Sequence, residues 1–277
     1  MSRRFPATRQ QQILEKLWTG SDVNVAAVAE EFGVSTETVR RDLKALERAG
    51  KLRRSYGGAL PVEHGLSPLS RRIGEFAEAK DAVGQVAAQM VEEGQWVYFG
   101  SGSTALAAAR RMAGGVALNV MTHMPAIADA FAAGTGHRIF LTGGEYDASH
   151  GILHGERVLD DVRERCFDLA VLGAHGIDLE NGVVDGFEFL FRLNRLVLKR
   201  AERCIWLADS EKFGRKLHFC TAPFEAVETL VTDRPPPAEF EEALERAGVA
   251  LVTPEVAGEA IRSRLHDVEQ TTVKGRS

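Results

Sequence analysis

A glycine- and hydroxyl-rich segment in the middle of the chain has residue types that could bind an anion. It follows an apolar run, precedes a helical pattern, and contains Ser101, Gly102, Ser103 and Thr104. Glycines let the backbone approach a ligand closely, and N–H groups at a helix N-terminus together with hydroxyls form a cradle for a phosphate. We therefore predict a phosphate site here, the alternative being a turn that only caps the helix.

Polar residues and glycines follow later apolar runs at equivalent positions. The candidate ligand-binding residues among them are Thr122, His123, Gly143, Gly144, His175, Asp209 and Lys212. Lys212 is a natural countercharge for a phosphate, although a lysine near a turn is usually only solvated. Asp209 could bind ligand hydroxyls or cap the turn that carries Lys212, and the sequence leaves both possibilities open. Such loops at one sheet edge could enclose a pocket of roughly a few hundred Å³, which suits a sugar.

A second group of candidate residues lies near the N-terminus and consists of residue types that contact DNA. Val39, Leu43 and Leu46 recur at helical spacing and predict a buried face. The candidate DNA contacts on the same segment are Ser35, Thr36, Thr38, Arg40, Arg41 and Lys44. Hydrogen-bonding side chains can read base edges while cations hold phosphates, and arginine can do either with two N–H groups. An ordinary amphipathic helix with a solvated charged face is the alternative.

The surroundings of this segment favour DNA binding. A shorter helical pattern ends at a glycine-containing turn, residues 33–35, and two helices joined by such a turn form a helix-turn-helix. Residues 51–59 are a basic stretch with a glycine turn, which predicts a hairpin wing. The further DNA contacts expected on this wing are Arg53, Arg54 and Tyr56.

The charges divide the chain in the same way. Residues 1–60 carry eleven Lys and Arg against seven Asp and Glu, whereas the remaining residues carry twenty-three against thirty-two. A basic head on an acidic body is expected when only the head meets phosphates. The length of 277 residues favours two domains. We place a winged helix-turn-helix at 1–60, a linker at 61–80 and a ligand-sensing domain at 81–277.

Short apolar runs alternate with helical patterns along the rest of the chain. The runs are 96–99, 118–122, 138–142, 169–173, 204–208, 229–232 and 249–252, and a helical segment at about 70–92 precedes them. Because the runs are apolar on both faces, they predict an α/β domain with a mostly parallel sheet that helices cover on both sides. Ligands bind beyond the carboxyl ends of such strands, where the candidate residues lie.

Several classes of protein are excluded by composition. The N-terminus lacks the apolar run of a secretory signal, and eighteen apolar residues never follow one another, so we expect a soluble, cytoplasmic protein with no membrane partner. Cys166, Cys204 and Cys220 are far apart, which favours buried thiols over a zinc site or a disulfide. We expect no metal and no cofactor.

Both groups of candidate residues resemble motifs of the DeoR family of bacterial regulators of sugar metabolism. The N-terminal signature is present as Ser35, Thr-Val-Arg-Arg-Asp-Leu at 38–43, Leu-Glu at 46–47 and Arg-Ser-Tyr-Gly-Gly-Ala at 54–59. The motifs of the family's sensor domain are similar to three segments of this chain. These are Leu-Thr-Gly-Gly at 141–144, Gly-Ala-His-Gly-Ile-Asp at 173–178 and Leu-Ala-Asp-Ser-Glu-Lys-Phe-Gly at 207–214. The resemblance implies a winged helix-turn-helix and a sensor similar in fold to ribose-5-phosphate isomerase, which answers to phosphorylated sugars or related intermediates.

Three positions depart from the family pattern. Tyr56 stands where the family usually has histidine, and Gly100 where it has the aspartate of a D-S-G-T-T loop. Residues 190–194 are Leu-Phe-Arg-Leu-Asn, where the family commonly has E-A-x-x-K. The two departures in the sensor indicate a ligand chemistry that differs from that of well-known members.

A sugar-phosphate isomerase fused to a DNA-binding head is the alternative function. Such an enzyme needs a carboxylate base, and the D-G-A-D-E segment of the isomerase is replaced here by Leu-Gly-Ala-His-Gly at 172–176. His175 could serve as a base, and Asp185 or Glu188 could do so only if the fold brings them inward. We therefore predict a pocket that binds without turnover and has no catalytic residues. A nucleoid-type DNA binder with a structural tail ranks third.

The sequence thus predicts a DNA-binding transcriptional regulator, a repressor of a sugar or carbon catabolic operon that a phosphorylated sugar or related metabolite releases from its operator. The expected partners are double-stranded operator DNA and a small phosphorylated sugar effector. Because operators are usually met by symmetric dimers, we also expect a homodimer or homotetramer.

Overall fold

The computed structural model describes residues 9, 10, 12, 13, 16, 23–48, 52–55, 57–61 and 68–257. The chain divides into two compact units, residues 1–67 and 68–277. This division lies within residues 61–80, the segment that the sequence predicts as a linker. Each unit has its own hydrophobic core.

The first unit contains a helix-turn-helix and a three-stranded antiparallel sheet. The described elements are β1 (Val23–Asn24), α1 (Val25–Phe32), α2 (Thr36–Arg48), β2 (Leu52–Ser55) and β3 (Gly58–Pro61), and the strand order is β1-β3-β2. Ile13, Val28, Val39, Leu43 and Leu52 are among the buried residues of its core. The predicted winged helix-turn-helix is therefore confirmed.

Short-range interactions fix where the two helices begin and end. The Asn24 side chain accepts hydrogen bonds from the Ala26 and Ala27 N–H groups at 2.8 and 3.4 Å, and so caps α1. Gly33 ends α1 with φ 62°, a left-handed conformation that costs glycine least. Ser35 caps α2, because its Oγ accepts a hydrogen bond from the Thr38 N–H at 3.2 Å.

The second unit is built on a seven-stranded sheet in which every pairing is parallel. Its strands are β4 (Trp96–Phe99), β5 (Asn119–Thr122), β6 (Arg138–Leu141), β9 (Phe167–Gly173), β12 (Ala201–Leu207), β14 (Thr229–Val231) and β15 (Ala250–Val252). Their spatial order is β15-β14-β12-β9-β4-β5-β6. All seven predicted apolar runs are strands of this sheet, and the predicted fold class is confirmed. The chain progresses outward from β4 to β6 and then from β9 to β15, so β4 and β9 flank the topological switch point.

Helices alternate with these strands. They are α3 (Leu69–Gly74), α4 (Ala77–Ala87), α5 (Ser103–Met112), α6 (Pro125–Ala132), α7 (Glu156–Arg163), α8 (Glu188–Leu198) and α9 (Ala238–Arg246). Val97, Tyr98 and Phe99 are consecutive residues of β4, and each is 0% exposed. Because successive side chains of a strand point to opposite faces, the sheet is covered on both faces.

Two small antiparallel sheets accompany the large one and are absent from the sequence prediction. One is the hairpin of β7 (Glu145–Asp147) and β8 (Ile152–His154), and the other joins β10 (Gly176–Asp178), β11 (Gly182–Asp185) and β13 (Phe219–Ala222). Unlike the strands of the large sheet, the strands of these two sheets do not belong to the pattern of apolar runs alternating with helices, so that pattern does not reveal them. Gly182 shows why glycine stands at the start of β11, since its φ is 71° and a Cβ there would lie 2.4 Å from the Ala222 carbonyl oxygen.

The helix predicted at about 70–92 is two helices, α3 and α4, with a sharp corner between them. Glu75 follows α3 with extended backbone, and Phe76 precedes α4 with φ 53°. Among the described residues Phe76 alone has a positive φ without being a glycine. Within the same residues, no helix combines the length and apolarity that crossing a bilayer requires.

The three cysteines differ in burial. Cys204 is buried in β12, as the sequence predicts, but Cys166 and Cys220 are exposed, so the expectation of a buried thiol is wrong for these two. Cys166 lies in the turn between α7 and β9, and Cys220 lies on the short strand β13, outside the large sheet. Their places in a turn and in a small sheet explain why neither joins the core.

Candidate functional site

The solvent-facing side of α2 carries the predicted DNA contacts. Val39, Leu43 and Leu46 are buried, as the periodicity predicts. Ser35, Thr36, Arg40, Arg41 and Lys44 are exposed, and Thr38 is half-buried. The charged groups of these side chains are therefore exposed to solvent. Arg40 makes a loose contact with Glu37, with Nη1 3.9 Å from the carboxylate. This face has the size and chemistry that a major groove accepts.

The first residues of α2 also serve the helix itself. Ser35 caps it, and the Ser35 and Thr38 hydroxyls lie 2.9 Å apart in a mutual hydrogen bond. Both hydroxyls keep a lone pair or a hydrogen for a base or phosphate, since each can donate once and accept twice. Their placement as DNA contacts stays a prediction.

Asp42 is a structural residue of this helix that sequence reasoning missed. It lies on α2 but is buried, and its carboxylate accepts hydrogen bonds from Arg9 Nε at 2.5 Å and from Gln10 Nε2 at 3.1 Å. This contact ties the N-terminal helical residues to the inner side of α2. The signal was the acidic residue inside an otherwise basic motif, which a solvated helix face does not require.

The wing is a tight hairpin in which Ser55 pairs with Gly58. Gly57 has φ 85°, and a Cβ on Gly58 would lie 2.1 Å from the Val23 carbonyl oxygen, so both glycines are required by the fold. Arg53 and Arg54 are residues of β2. Their side chains and Tyr56 lie outside the described residues, and their contacts with DNA stay predictions.

In the second unit, the loop from β4 to α5 places buried polar groups at a helix N-terminus. Ser101, Gly102, Ser103 and Thr104 are all buried. Gly102 has φ 110°, and α5 begins after it without a hydrogen bond from a capping side chain. The first N–H groups of a helix have no partners within the helix, and their dipoles favour an anion. The backbone is arranged as such a cradle would be, and anion binding there stays a prediction.

Asp209 and Lys212 lie against this helix N-terminus. Thr104 Oγ1 donates a hydrogen bond to Asp209 Oδ2 at 3.4 Å, and Lys212 Nζ lies 3.8 Å from the same oxygen. Asp209 is 0% exposed, and its Oδ1 has no hydrogen-bond partner among the described residues. A buried carboxylate oxygen without a partner is costly, so this oxygen is suited to accept a hydrogen bond from a ligand hydroxyl.

Three buried cations form a group here: Asp209 interacts electrostatically with Lys212 and Lys80, and Arg72 interacts with both lysines. Burial lowers the pKa of Lys212 to about 8; Asp209 opposes this shift, while Arg215, Lys80 and Arg72 add to it. Burial also lowers the pKa of Arg72 to about 10, with Glu75 opposing the shift. Crowded, desolvated cations of this kind are stabilised by a further negative charge. Arg72 and Lys80 were missed because they lie on α3 and α4, before the sheet, where no loop pattern marks them.

His175 belongs to a neighbouring buried network. Its Nδ1 lies 2.7 Å from Asp185 Oδ1, and Asp185 Oδ2 accepts hydrogen bonds from Thr221 Oγ1 at 2.6 Å and Asn194 Nδ2 at 3.1 Å. Burial lowers the pKa of His175, with Asp185 opposing the shift and Arg72 and Lys212 adding to it. The fold thus brings Asp185 inward but binds it to three partners. Glu188 is exposed at the start of α8.

The two residues after the β5 run have different roles. Thr122 Oγ1 accepts a hydrogen bond from the Met124 N–H at 3.1 Å, so it shapes the loop. His123 Nδ1 lies 2.9 Å from the Tyr98 hydroxyl, and burial lowers the pKa of His123 to about 3. Its Nε2 has no hydrogen-bond partner among the described residues. The imidazole is neutral at physiological pH and can take part in a hydrogen bond with an uncharged ligand group.

Gly143 and Gly144 contact α7 and β8 instead of the Asp209 group. The Gly143 N–H donates to Asp161 Oδ2 at 2.9 Å, and a Cβ on Gly143 would lie 2.8 Å from Arg157 Cγ. Gly144 has φ 133°, and a Cβ there would lie 2.6 Å from the His154 carbonyl oxygen. The packing of the turn accounts for both glycines, and a role in ligand binding stays a prediction.

A winged helix-turn-helix with an exposed cationic helix, joined to an α/β unit with buried cations at a helix N-terminus, defines a DNA-binding regulator with a ligand-sensing domain. The chain belongs to the DeoR family of transcriptional regulators. Residues 9–64 match the DeoR-like helix-turn-helix domain, and residues 75–234 match the DeoR C-terminal sensor domain.

Curated relatives are similar over nearly their whole length. The chain is 30% identical to the transcriptional repressor GlcR of Bacillus subtilis over 245 residues, which cover 88% of this chain and 94% of the relative. It is 29% identical to the transcriptional regulator GlpR of Haloferax volcanii, covering 90% and 98%, and 27% identical to the glycerol-3-phosphate regulon repressor of Escherichia coli, covering 85% and 94%. These names are those of transcriptional regulators, and the isomerase alternative is not supported.

Ribose 5-phosphate isomerase A of Methanocaldococcus jannaschii aligns with half of the chain. The alignment has a TM-score of 0.37 and 18% identity, and it covers 50% of this chain and 54% of that one. A similarity this low supports no conclusion about activity.

Proposed function

We propose that this regulator represses an operon for sugar or carbon catabolism and leaves its operator when a small phosphorylated sugar or related metabolite binds to the second unit. The observation that carries the proposal is the uncapped, buried N-terminus of α5 beside Lys212, with Arg72 and Lys80 nearby. Backbone N–H groups and cations together bind phosphate groups in proteins.

Two further buried groups of the second unit suit the sugar part of such a ligand. Asp209 Oδ1 and His123 Nε2 are buried and have no hydrogen-bond partners among the described residues. A carboxylate oxygen accepts from a sugar hydroxyl, and a neutral imidazole nitrogen can donate or accept. The relatives support the class of ligand, because one of them is named for a glycerol-3-phosphate regulon.

The DNA-bound form is proposed to be a homodimer or homotetramer. The exposed cations of α2 supply few phosphate contacts per chain, and two symmetric copies double them over paired half-sites. Ligand binding can change operator affinity only through a difference in ligand affinity between the two states of the regulator.

The proposal is tested with the full-length protein and a duplex that it selects from a random DNA library. A panel of sugar phosphates and their unphosphorylated sugars is screened by thermal shift, and each hit is added to the protein–duplex complex in fluorescence anisotropy. We expect a sugar phosphate, but not its parent sugar, to raise the melting temperature and to lower duplex affinity at least about tenfold, a coupling of the size usual for allosteric proteins. Failure of every phosphorylated compound in both assays would refute the effector site.

A further inference from the structure

Lys80 connects the effector site to the corner between α3 and α4. Its Nζ donates hydrogen bonds to the carbonyl oxygen of Arg72, at 2.5 Å, and to that of Glu75. These carbonyls belong to the C-terminal end of α3, where a helix has no partners of its own for them. The Lys80 ammonium, which is buried, therefore caps α3.

The corner depends on this cap for its shape. The helix α3 has only six residues, and helices this short have little stability of their own. Phe76 follows it in the left-handed region with φ 53°, which is unfavourable for a residue with a bulky side chain. At the other end of α3, the Leu69 N–H donates to the Ser149 carbonyl oxygen at 3.0 Å. Loss of the Lys80 cap would release the C-terminal end only.

The helix that carries Lys80 packs on the helix whose N-terminus forms the proposed effector site. One turn after Lys80, Gly84 packs on α5, where a Cβ would lie 3.0 Å from Ala107 and Ala108 backbone atoms. Thr104, which contacts Asp209, lies one turn before Ala108 on α5. Burial lowers the pKa of Lys80, and the Asp209 carboxylate is the main opposing charge. Lys80 in turn adds to the lowering of the Lys212 pKa, so the two ammonium groups interact electrostatically.

We propose that an anion bound beside Thr104, Asp209 and Lys212 competes with the α3 carbonyls for the Lys80 ammonium and thereby loosens the corner between α3 and α4. A hydrogen bond from an ammonium to a phosphate oxygen is stronger than one to an uncharged carbonyl, because both partners are charged. The helix α3 is the first element after the division at residue 67, so the loosened segment continues along the chain toward the DNA-binding unit. This inference rests on the proposed effector site.

The experiment is hydrogen–deuterium exchange of the full-length protein with and without inorganic phosphate, at an ionic strength matched with sodium chloride. In the wild-type protein we expect phosphate to speed exchange several-fold for the amides of residues 71–76. Lys80→Gln offers N–H donors of one bond shorter reach and lacks the charge, so the corner keeps more protection than without any donor and no longer responds to phosphate. Lys80→Met lacks both and exchanges rapidly without phosphate. Lys199→Met, at an exposed lysine that follows α8, is the matched control and behaves as the wild type.

A thermal shift with phosphate, measured on the same samples, separates the two ways in which the idea can fail. If phosphate stabilises the wild type but leaves the exchange of residues 71–76 unchanged, the role of Lys80 is wrong and the effector site stands. A full exchange response in Lys80→Gln also refutes the role of Lys80 alone, even if Lys80→Met does not fold. If phosphate does not bind the wild type at all, the effector site and the role of Lys80 are both refuted.

Discussion

The two units hold their positive charges in opposite ways. Arg40, Arg41 and Lys44 of the first unit are exposed on α2, whereas Lys80 and Lys212 of the second unit are buried around a carboxylate. An exposed cation keeps its hydration, so its charge costs little free energy. It binds a large polyanion as one of many weak, salt-sensitive contacts. A buried cation has lost its hydration, so its charge depends on a few neighbours and responds to one small anion. The first arrangement suits operator DNA, and the second suits an effector.

The largest expected effect comes from the pair of Arg9 and Asp42. This pair is buried, whereas the cations of α2 are exposed. Asp42→Ala removes the carboxylate that faces Arg9 at 2.5 Å. Breaking a buried ion pair costs about 3 to 5 kcal/mol, so we expect a loss of that size in the free energy of unfolding of the first unit. Urea denaturation followed by circular dichroism measures it. Glu30→Ala, at an exposed residue of α1, should change stability by less than about 0.5 kcal/mol. If the two variants are equally stable, the buried Arg9–Asp42 pair does not stabilise the first unit.

Next in size is the effect of exposed arginines on DNA binding. Arg40→Ala and Arg41→Ala should each weaken binding to a selected duplex by about 1 to 3 kcal/mol if the side chain reads a base, or lower the salt slope by about one if it holds a phosphate. Neither change should alter the thermal shift with a sugar phosphate. Arg246→Ala, at an exposed arginine of α9, serves as the control for net charge. If all three variants bind alike at every salt concentration, α2 is not the reading helix.

Because Lys212 is buried, the affinity for the ligand should depend on pH. No such dependence follows from the exposed cations of α2. The pKa of Lys212 is lowered to about 8, so its charged form predominates below that pH. Above it, binding of a phosphorylated ligand through charged Lys212 should weaken by up to about tenfold per pH unit. Isothermal titration at pH 7, 8 and 9 checks this, and Lys212→Met should bind weakly with a flatter profile.

The same shift has the reverse effect on stability. Between about 8 and the ordinary lysine value of 10.5, the unfolded chain binds more protons than the folded chain at Lys212, so this residue adds stability as the pH rises. Ligand affinity and the stability of the free protein should therefore move in opposite directions across this range. Parallel changes would show that another group governs the titration.

The sequence predicts those parts of the molecule that repeat or that carry motifs. All seven strands of the large sheet were predicted, because each is a short apolar run. The exposed residues of α2 were predicted because a 3.6-residue period separates its faces. The polar loops followed from the rule that parallel sheets bind ligands at one edge.

What the sequence did not predict depends on contacts between distant residues. Arg72 and Lys80 lie on the helices before the sheet, and only the folded chain brings them near Lys212. Asp42 has the helical spacing of a core residue, but its partner Arg9 lies 33 residues earlier. The break at Phe76 lies within a helical pattern, and the left-handed residue is not itself a glycine, although Gly74 ends α3 two positions earlier.

The smallest expected effect tests whether the partners of the buried Asp185 carboxylate act together in stabilising it. Asp185 has three partners, His175, Thr221 and Asn194, where Asp42 has Arg9 and Gln10. Asn194→Ala removes one hydrogen bond of 3.1 Å and should cost about 1 kcal/mol, because the other two partners remain. Thr221→Val should cost a similar amount.

The double variant decides whether the partners act together. If the network shares the charge, Asn194→Ala combined with Thr221→Val costs more than the two single changes added, since the last donor lost leaves the carboxylate poorly satisfied. Thermal denaturation of the four proteins gives the coupling. Simple additivity would mean that Asn194 and Thr221 support Asp185 independently of each other. The second unit would then stabilise its buried carboxylate in the same way as the first, where Arg9 and Gln10 bind Asp42.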